Sequence, residues 1–201
     1  MLAHAITGWR FKPQFTPQTV YIRPRVDGWN VGYFHWMGAA THVADRRSSA
    51  MHGKLFLLDT AYAGIDEENL YCRLDFTEPP SEWSALQCVL LVTIETVAAD
   101  GRPDLVYRLE ASITNGALTD VNFGESGQGK MQNSGIEAGL QSIFACKIPF
   151  TLLNAAQGTT LRVRFSLWRD RLPLDALPQE GAIDLGVVPE PELTSLPYAK
   201  P

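Results

Sequence analysis

The chain is poor in cysteine and in basic charge, and it has no long apolar run. Its three cysteines, Cys72, Cys88 and Cys146, are an odd number at wide spacing, each inside an apolar stretch. No C-x-x-C pair exists. A disulfide framework and a zinc clip are therefore not expected, and the thiols read as small buried hydrophobes. The 17 Lys and Arg against 22 Asp and Glu give a net charge of -5 and a pI near 5.3. Those cations are scattered, so no positive stripe is available for a phosphate backbone, and nucleic acid is not an expected partner. No stretch approaches the roughly 18 apolar residues of a membrane helix. Met1 to Arg10 also lacks the basic-then-apolar layout of a secretory signal. The expectation is a cytoplasmic protein with no membrane contact.

What is present is an ordinary globular balance, 45% hydrophobic and 19% charged over 201 residues, enough for one well-cored domain. Helical periodicity is short or missing, while β-branched and alternating runs recur between turn residues. Strands are expected over Thr19–Val26, Val31–Met37, Lys54–Ala63, Asn69–Phe76, Leu86–Val97, Asp104–Ser112, Leu140–Ile148, Thr159–Trp168 and Ala182–Val187. Asp27-Gly28 and Asn115-Gly116 carry turn chemistry. One short helix is expected at Pro149–Asn154, with Pro at its first position. The sum is an all-β antiparallel sandwich. Residues 1–17 form an irregular lead-in, 18–188 the sandwich, and 189–201 a Pro-rich extended tail. Along Thr159–Trp168, Leu161, Val163, Phe165 and Leu167 form the inward set. Trp168 falls with Arg162, Arg164 and Ser166 on the outer one.

Catalytic constellations are lacking. There is no G-x-S-x-G elbow and no H-E-x-x-H, and no carboxylate partner can be assigned to Glu95 or Glu110. Gly124 to Gly135 is loop-like, but Gly129-Lys130 is followed by Met131 where a phosphate loop needs Ser or Thr. His42 and His52 lie ten residues apart in the long polar stretch from Gly38 to Gly53, without a cysteine pair beside them. No metal and no other cofactor is expected.

Aromatic residues are the better signal. Trp29, Tyr33, Phe34 and Trp36 fall within eight positions, next to the long polar stretch that contains Asp45, Arg46 and Arg47. A pyranose ring stacks its C–H faces on indole or phenol rings, and its hydroxyls need planar polar groups at the rim. The competing reading divides the aromatic cluster between core and surface by strand alternation.

The runs Tyr33-Phe34-His35-Trp36-Met37-Gly38-Ala39, Arg46-Arg47-Ser48, Ala50-Met51-His52 and Leu70-Tyr71-Cys72-Arg73-Leu74-Asp75 carry a family likeness. So do Ile148-Pro149-Phe150, Arg162 to Trp168 and Gly181-Ala182-Ile183-Asp184-Leu185. Together they resemble the non-catalytic C-terminal β domain of glycoside hydrolase family 57 proteins, over roughly Thr16 to Val188. That domain is similar to the C-terminal sandwich of glucodextranase, to family 9 carbohydrate-binding modules and to the wider DOMON-like group, which implies a jelly-roll type of sandwich. In the family pattern a glutamate stands where this chain has His35. The catalytic barrel has no counterpart here, so the resemblance implies an accessory module rather than an enzyme.

Three functions follow as expectations. In the first, the chain binds an α-glucan or related carbohydrate. Trp29, Tyr33 and Trp36 then provide stacking surface, and His35, Asp45, Arg46 and Arg47 the rim. In the second, it packs on a glycoside hydrolase catalytic domain without touching sugar, and exposes an apolar patch. In the third, Met37 or Met51 with a histidine holds haem.

Overall fold

The computed structural model describes residues 15–30, 33–45, 56–83, 87–98, 103–128 and 135–193. Twelve strands are found among them: β1 Phe15–Thr16, β2 Ala40–Val43, β3 Leu58–Ile65, β4 Asn69–Phe76, β5 Gln87–Val97, β6 Pro103–Thr114, β7 Ala117–Glu125, β8 Glu137–Leu140, β9 Ile143–Pro149, β10 Thr160–Arg169, β11 Leu172–Leu177 and β12 Ile183–Gly186. They form two antiparallel sheets. The first has the order β1-β2-β3-β4-β9-β8, and the second β11-β10-β5-β6-β7 with β12 paired to β10. The protein is an all-β sandwich, as its alternation predicts.

The core lies between the sheets. Leu161, Val163, Phe165 and Leu167 of β10 and Leu90, Val92 and Ile94 of β5 face Leu70, Cys72 and Leu74 of β4 and Phe144, Cys146 and Ile148 of β9, all of them buried. Each large apolar side chain removed from water in this way contributes about 1.5–3 kcal/mol. Tyr107 and Phe123 stack in parallel with centroids 5.7 Å apart. Arg162, Arg164, Ser166 and Trp168 take the alternate, outward positions of β10, as expected, and Trp168 sits at a register shift against β11. The Asn115-Gly116 turn joins β6 to β7 with both residues at positive φ. Only glycine fits the second position, because a Cβ there would lie 2.0 Å from the Pro80 carbonyl oxygen.

Several local expectations fail, each for a physical reason. Residues 19–26 are not a strand. Pro17 precedes the segment and Pro24 interrupts it, and its Ile22 packs on the outer face of the first sheet with Tyr71 and Ala145. Tyr33–Trp36 is a 3-10 turn rather than part of a strand. The polar stretch after Gly38 begins with β2, and residues 46–55 lie outside the described ones. β7 and β11 escape the sequence reading because both are edge strands with weak alternation. β11 even carries Pro173, which an edge tolerates. The short helix expected at 149–154 is a 3-10 turn, Phe150–Leu152, while the tail contains a helical turn, Glu190–Leu193, with Leu193 buried. Phe15–Thr16 of the lead-in pairs with β2.

Asp175 is a buried carboxylate that ties the sheets together: its Oδ2 accepts from the N–H groups of Leu57 and Leu58 at 3.0 and 3.1 Å, where β3 begins. Asp175→Ala is expected to lower unfolding stability by roughly 2–4 kcal/mol, since each orphaned buried donor costs about 1–3 kcal/mol. Urea denaturation measures this directly.

The three cysteines are free and buried, as expected. Cys72 and Cys146 face each other across β4 and β9. Burial and that neighbour push the Cys72 thiol well above its ordinary range. Burial raises Cys88 to about 11 against the opposing charge of Arg169. Ellman's reagent at pH 8 is therefore expected to find no reactive thiol in the folded protein and three after guanidinium unfolding.

Candidate functional site

The two outer faces of the sandwich differ. β4 is buried on both sides from Leu70 to Leu74, because Ile22, Trp36 and Ala39 of residues 17–30 and 33–39 pack over the outer face of the first sheet. Gln18 fastens this cover. Its side-chain amide donates to the Ile65 carbonyl at 3.0 Å and accepts from the Ile65 N–H at 3.0 Å, much as a neighbouring strand would. Ile22 N–H also donates to the Ile65 carbonyl, and Thr19 N–H to that of Gly38. Gly64 lets Ile22 approach, since a Cβ there would meet the Ile22 side chain at 2.6 Å.

Under the cover lies a small second core of Ile22, Trp36, Ala39, Tyr71 and Ala145, and beside it a buried cation. The Arg73 guanidinium holds Asp75 in two contacts, Nε to Oδ1 at 2.6 Å and Nη2 to Oδ2 at 2.9 Å, and Nη2 donates to Asn30 Oδ1 at 2.8 Å. Its charge lies 4.8 Å from the Tyr62 ring centroid and 5.9 Å from that of Trp36, within cation–π range. Asp66, at the β3–β4 hairpin, accepts from the N–H groups of Glu68 and Asn69 and from the Tyr71 hydroxyl. Burial and this carboxylate raise the pKa of Tyr71.

Asn30 connects this cluster to the surface. The turn 27–30 is fixed at several points: Trp29 N–H donates to Asp27 Oδ1 at 3.0 Å, Asn30 N–H to Ser142 Oγ at 2.9 Å, and Ile143 N–H to the Gly28 carbonyl at 3.0 Å. Gly28, at φ 78°, packs so closely that a Cβ would meet the Leu140 and Gln141 backbone at 2.7 Å. On this hydrogen-bonded turn Trp29 is 56% exposed. Asn30 follows it in the chain and the Gln141 backbone packs against Gly28, and both residues are exposed. The result is an exposed indole on a hydrogen-bonded turn whose next residue, Asn30, accepts from the Arg73 ion pair.

The aromatic residues of the sequence motif divide. Trp29 and Phe34 are exposed, and His35 is exposed on the 3-10 turn. Trp36 is not stacking surface: the turn directs it inward against Tyr62 and Arg73, leaving it 6% exposed. Asp45 is half-buried just beyond β2. The side chain of Tyr33, and Arg46 and Arg47 entirely, lie outside the described residues. Asn30, Arg73, Gln141 and Ser142 were not singled out from sequence. The one available signal was Arg73, a cation inside the otherwise apolar run Leu70 to Leu74.

A second concavity of about 800 Å³ opens between the 66–69 hairpin, Tyr21 and residues 154–157. Two of its polar lining groups are engaged internally, Tyr21 Oη with the Val188 carbonyl and Asn154 with the Tyr107 hydroxyl. Among the described residues no group of three His, Cys, Asp or Glu is placed to hold a metal ion, and no helix is long and apolar enough to cross a membrane. His42 is half-buried, and desolvation lowers its pKa. Met37 is exposed, and Met51 and His52 lie outside the described residues. Comparison with protein-family models, with curated proteins and with solved structures gave no match.

Proposed function

We propose that the protein is a non-catalytic carbohydrate-binding module that takes α-glucans and accompanies a glycoside hydrolase. The observation that carries this reading is Trp29, an indole more than half exposed on a turn locked by three hydrogen bonds. Exposing a large ring on rigid backbone has no benefit for folding, and it removes the ordering entropy that binding would otherwise cost. A pyranose face stacks on the ring while Asn30 and Gln141 meet its hydroxyls. No bond-breaking step is assigned to the chain. The glucan class comes from the family resemblance alone. Native electrophoresis of the intact protein through gels containing soluble starch tests it: retarded migration relative to a starch-free gel is expected, and unchanged mobility with starch, glycogen and dextran contradicts it.

A second reading, a domain that packs on a catalytic partner, is favoured by Val20, Phe34 and Met37. They are exposed together on the cover segment, where Val20 abuts Gly38 and Met37 N–H donates to the Phe34 carbonyl. Under this reading a Phe34→Asp variant loses co-sedimentation with the hydrolase and keeps its mobility in starch gels.

A further inference from the structure

The outer face of the second sheet has no covering segment among the described residues, and its side chains form rows across the strands. Asp184, Arg162 and Glu95 stand opposite one another on β12, β10 and β5. In the next outward row Arg164 faces Thr93, which faces Arg108 on β6. Asp184, Arg162, Glu95, Arg164 and Thr93 floor a concavity of about 490 Å³ walled by Gly181 and Ala182, with Arg108 outside its lining. The wall is low: a Cβ added at Gly181 would have nothing within 4 Å.

Two features define what fits there. The first is charge balance, since two arginines meet two carboxylates. An anionic ligand would confront Glu95 and Asp184, and a cationic one Arg162 and Arg164. A neutral hydroxyl both donates and accepts, so vicinal diols match neighbouring guanidinium and carboxylate groups. The second is positioning. Arg162 Nε lies 3.6 Å from Asp184 Oδ1, and Arg164 Nη2 donates to the Gln179 carbonyl at 3.0 Å, which holds both forks over the sheet with further N–H groups in hand. The Asp184 carboxyl is raised by burial, with Glu95 adding to and Arg162 opposing the effect. Four residues along the same strand, about 13 Å away at strand rise, Trp168 lies half-buried on this face with its Nε1 donating to Ser166 Oγ at 2.8 Å.

We infer that this concavity is a second glycan subsite, in which Arg162, Arg164, Glu95 and Asp184 bind the hydroxyls of a neutral sugar unit. The inference rests on the carbohydrate reading above. Because it lies on the face of the sandwich opposite the Trp29 turn, one short oligosaccharide does not reach both. The module therefore holds two segments of polymer, and the two contacts reinforce each other through effective concentration.

Titration of the ¹⁵N-labelled intact protein with maltoheptaose, followed by amide chemical shifts, separates the two claims. Saturable shifts around both Trp29 and Thr93–Glu95/Arg162–Arg164 are expected, with two equivalents bound. Glu95→Gln, nearly isosteric and on a solvent-facing position, should weaken the second set at least ~5-fold and leave the Trp29 set unchanged. Shifts confined to the Trp29 turn would overturn the second subsite and leave the carbohydrate reading standing. Shifts confined to the second sheet would support the subsite and remove Trp29 from its role. No shifts at millimolar sugar would overturn both.

Discussion

Arg73→Ala is expected to lower unfolding stability by about 3–5 kcal/mol, the range for breaking a buried ion pair from one side. Out of a total that is typically 5–15 kcal/mol, this is a large share. The side chain is 7% exposed and satisfies both oxygens of Asp75 and the side-chain carbonyl of Asn30. Truncation leaves half-buried Asp75 and the Asn30 carbonyl without their donor and withdraws the cation from the rings of Tyr62 and Trp36. Arg73→Lys keeps the charge but not the fork, and is expected to recover only part of the loss. Urea denaturation gives the magnitude, and near-ultraviolet dichroism reports loosening of Trp36. Wild-type stability in Arg73→Ala would show that the cover segment is held by Gln18 and Ile22 without help from the ion pair.

Much of the fold is legible in the sequence because alternation is a local property. β4 and β5 fall within a residue of the expected Asn69–Phe76 and Leu86–Val97, and Trp168 takes the outward position that the period of β10 assigns to it. What escapes is set by non-local contacts. Residues 18–26 have strand-like composition, but Gln18, Thr19 and Ile22 bond to the Ile65 backbone and the Gly38 carbonyl, and no local pattern encodes those partners. The same holds for the candidate site. The aromatic cluster marks the right region, and Trp29 is where a stacking surface belongs. Assigning Trp36 the same role fails, because a 3-10 turn does not alternate and Arg73, thirty-seven positions away, draws the ring inward. The polar half of the site, Asn30 with Gln141 and Ser142, is assembled by the contact of one turn with the β8–β9 hairpin. Sequence spacing carries no trace of it.

Trp29→Ala is expected to have the larger functional effect with almost no structural one. The ring is exposed and its turn is held by backbone groups, so stability should change by no more than about 0.5 kcal/mol. Glycan affinity at the Trp29 subsite should fall at least ~30-fold, corresponding to the 2 kcal/mol or more that a central aromatic contact typically supplies. Trp29→Phe retains a smaller platform and should lie between. Equal affinity in wild type and Trp29→Ala, with a calorimetric stoichiometry of one in both, would transfer binding entirely to the second sheet.

The most direct test of the carbohydrate assignment is a paired titration of wild type and Trp29→Ala with maltoheptaose and isomaltoheptaose, followed by tryptophan fluorescence and heat. A saturable fluorescence change in wild type that the substitution removes, while both proteins melt at the same temperature, is the predicted result. Wild-type protein giving neither heat nor fluorescence change with either sugar at millimolar concentration would contradict it.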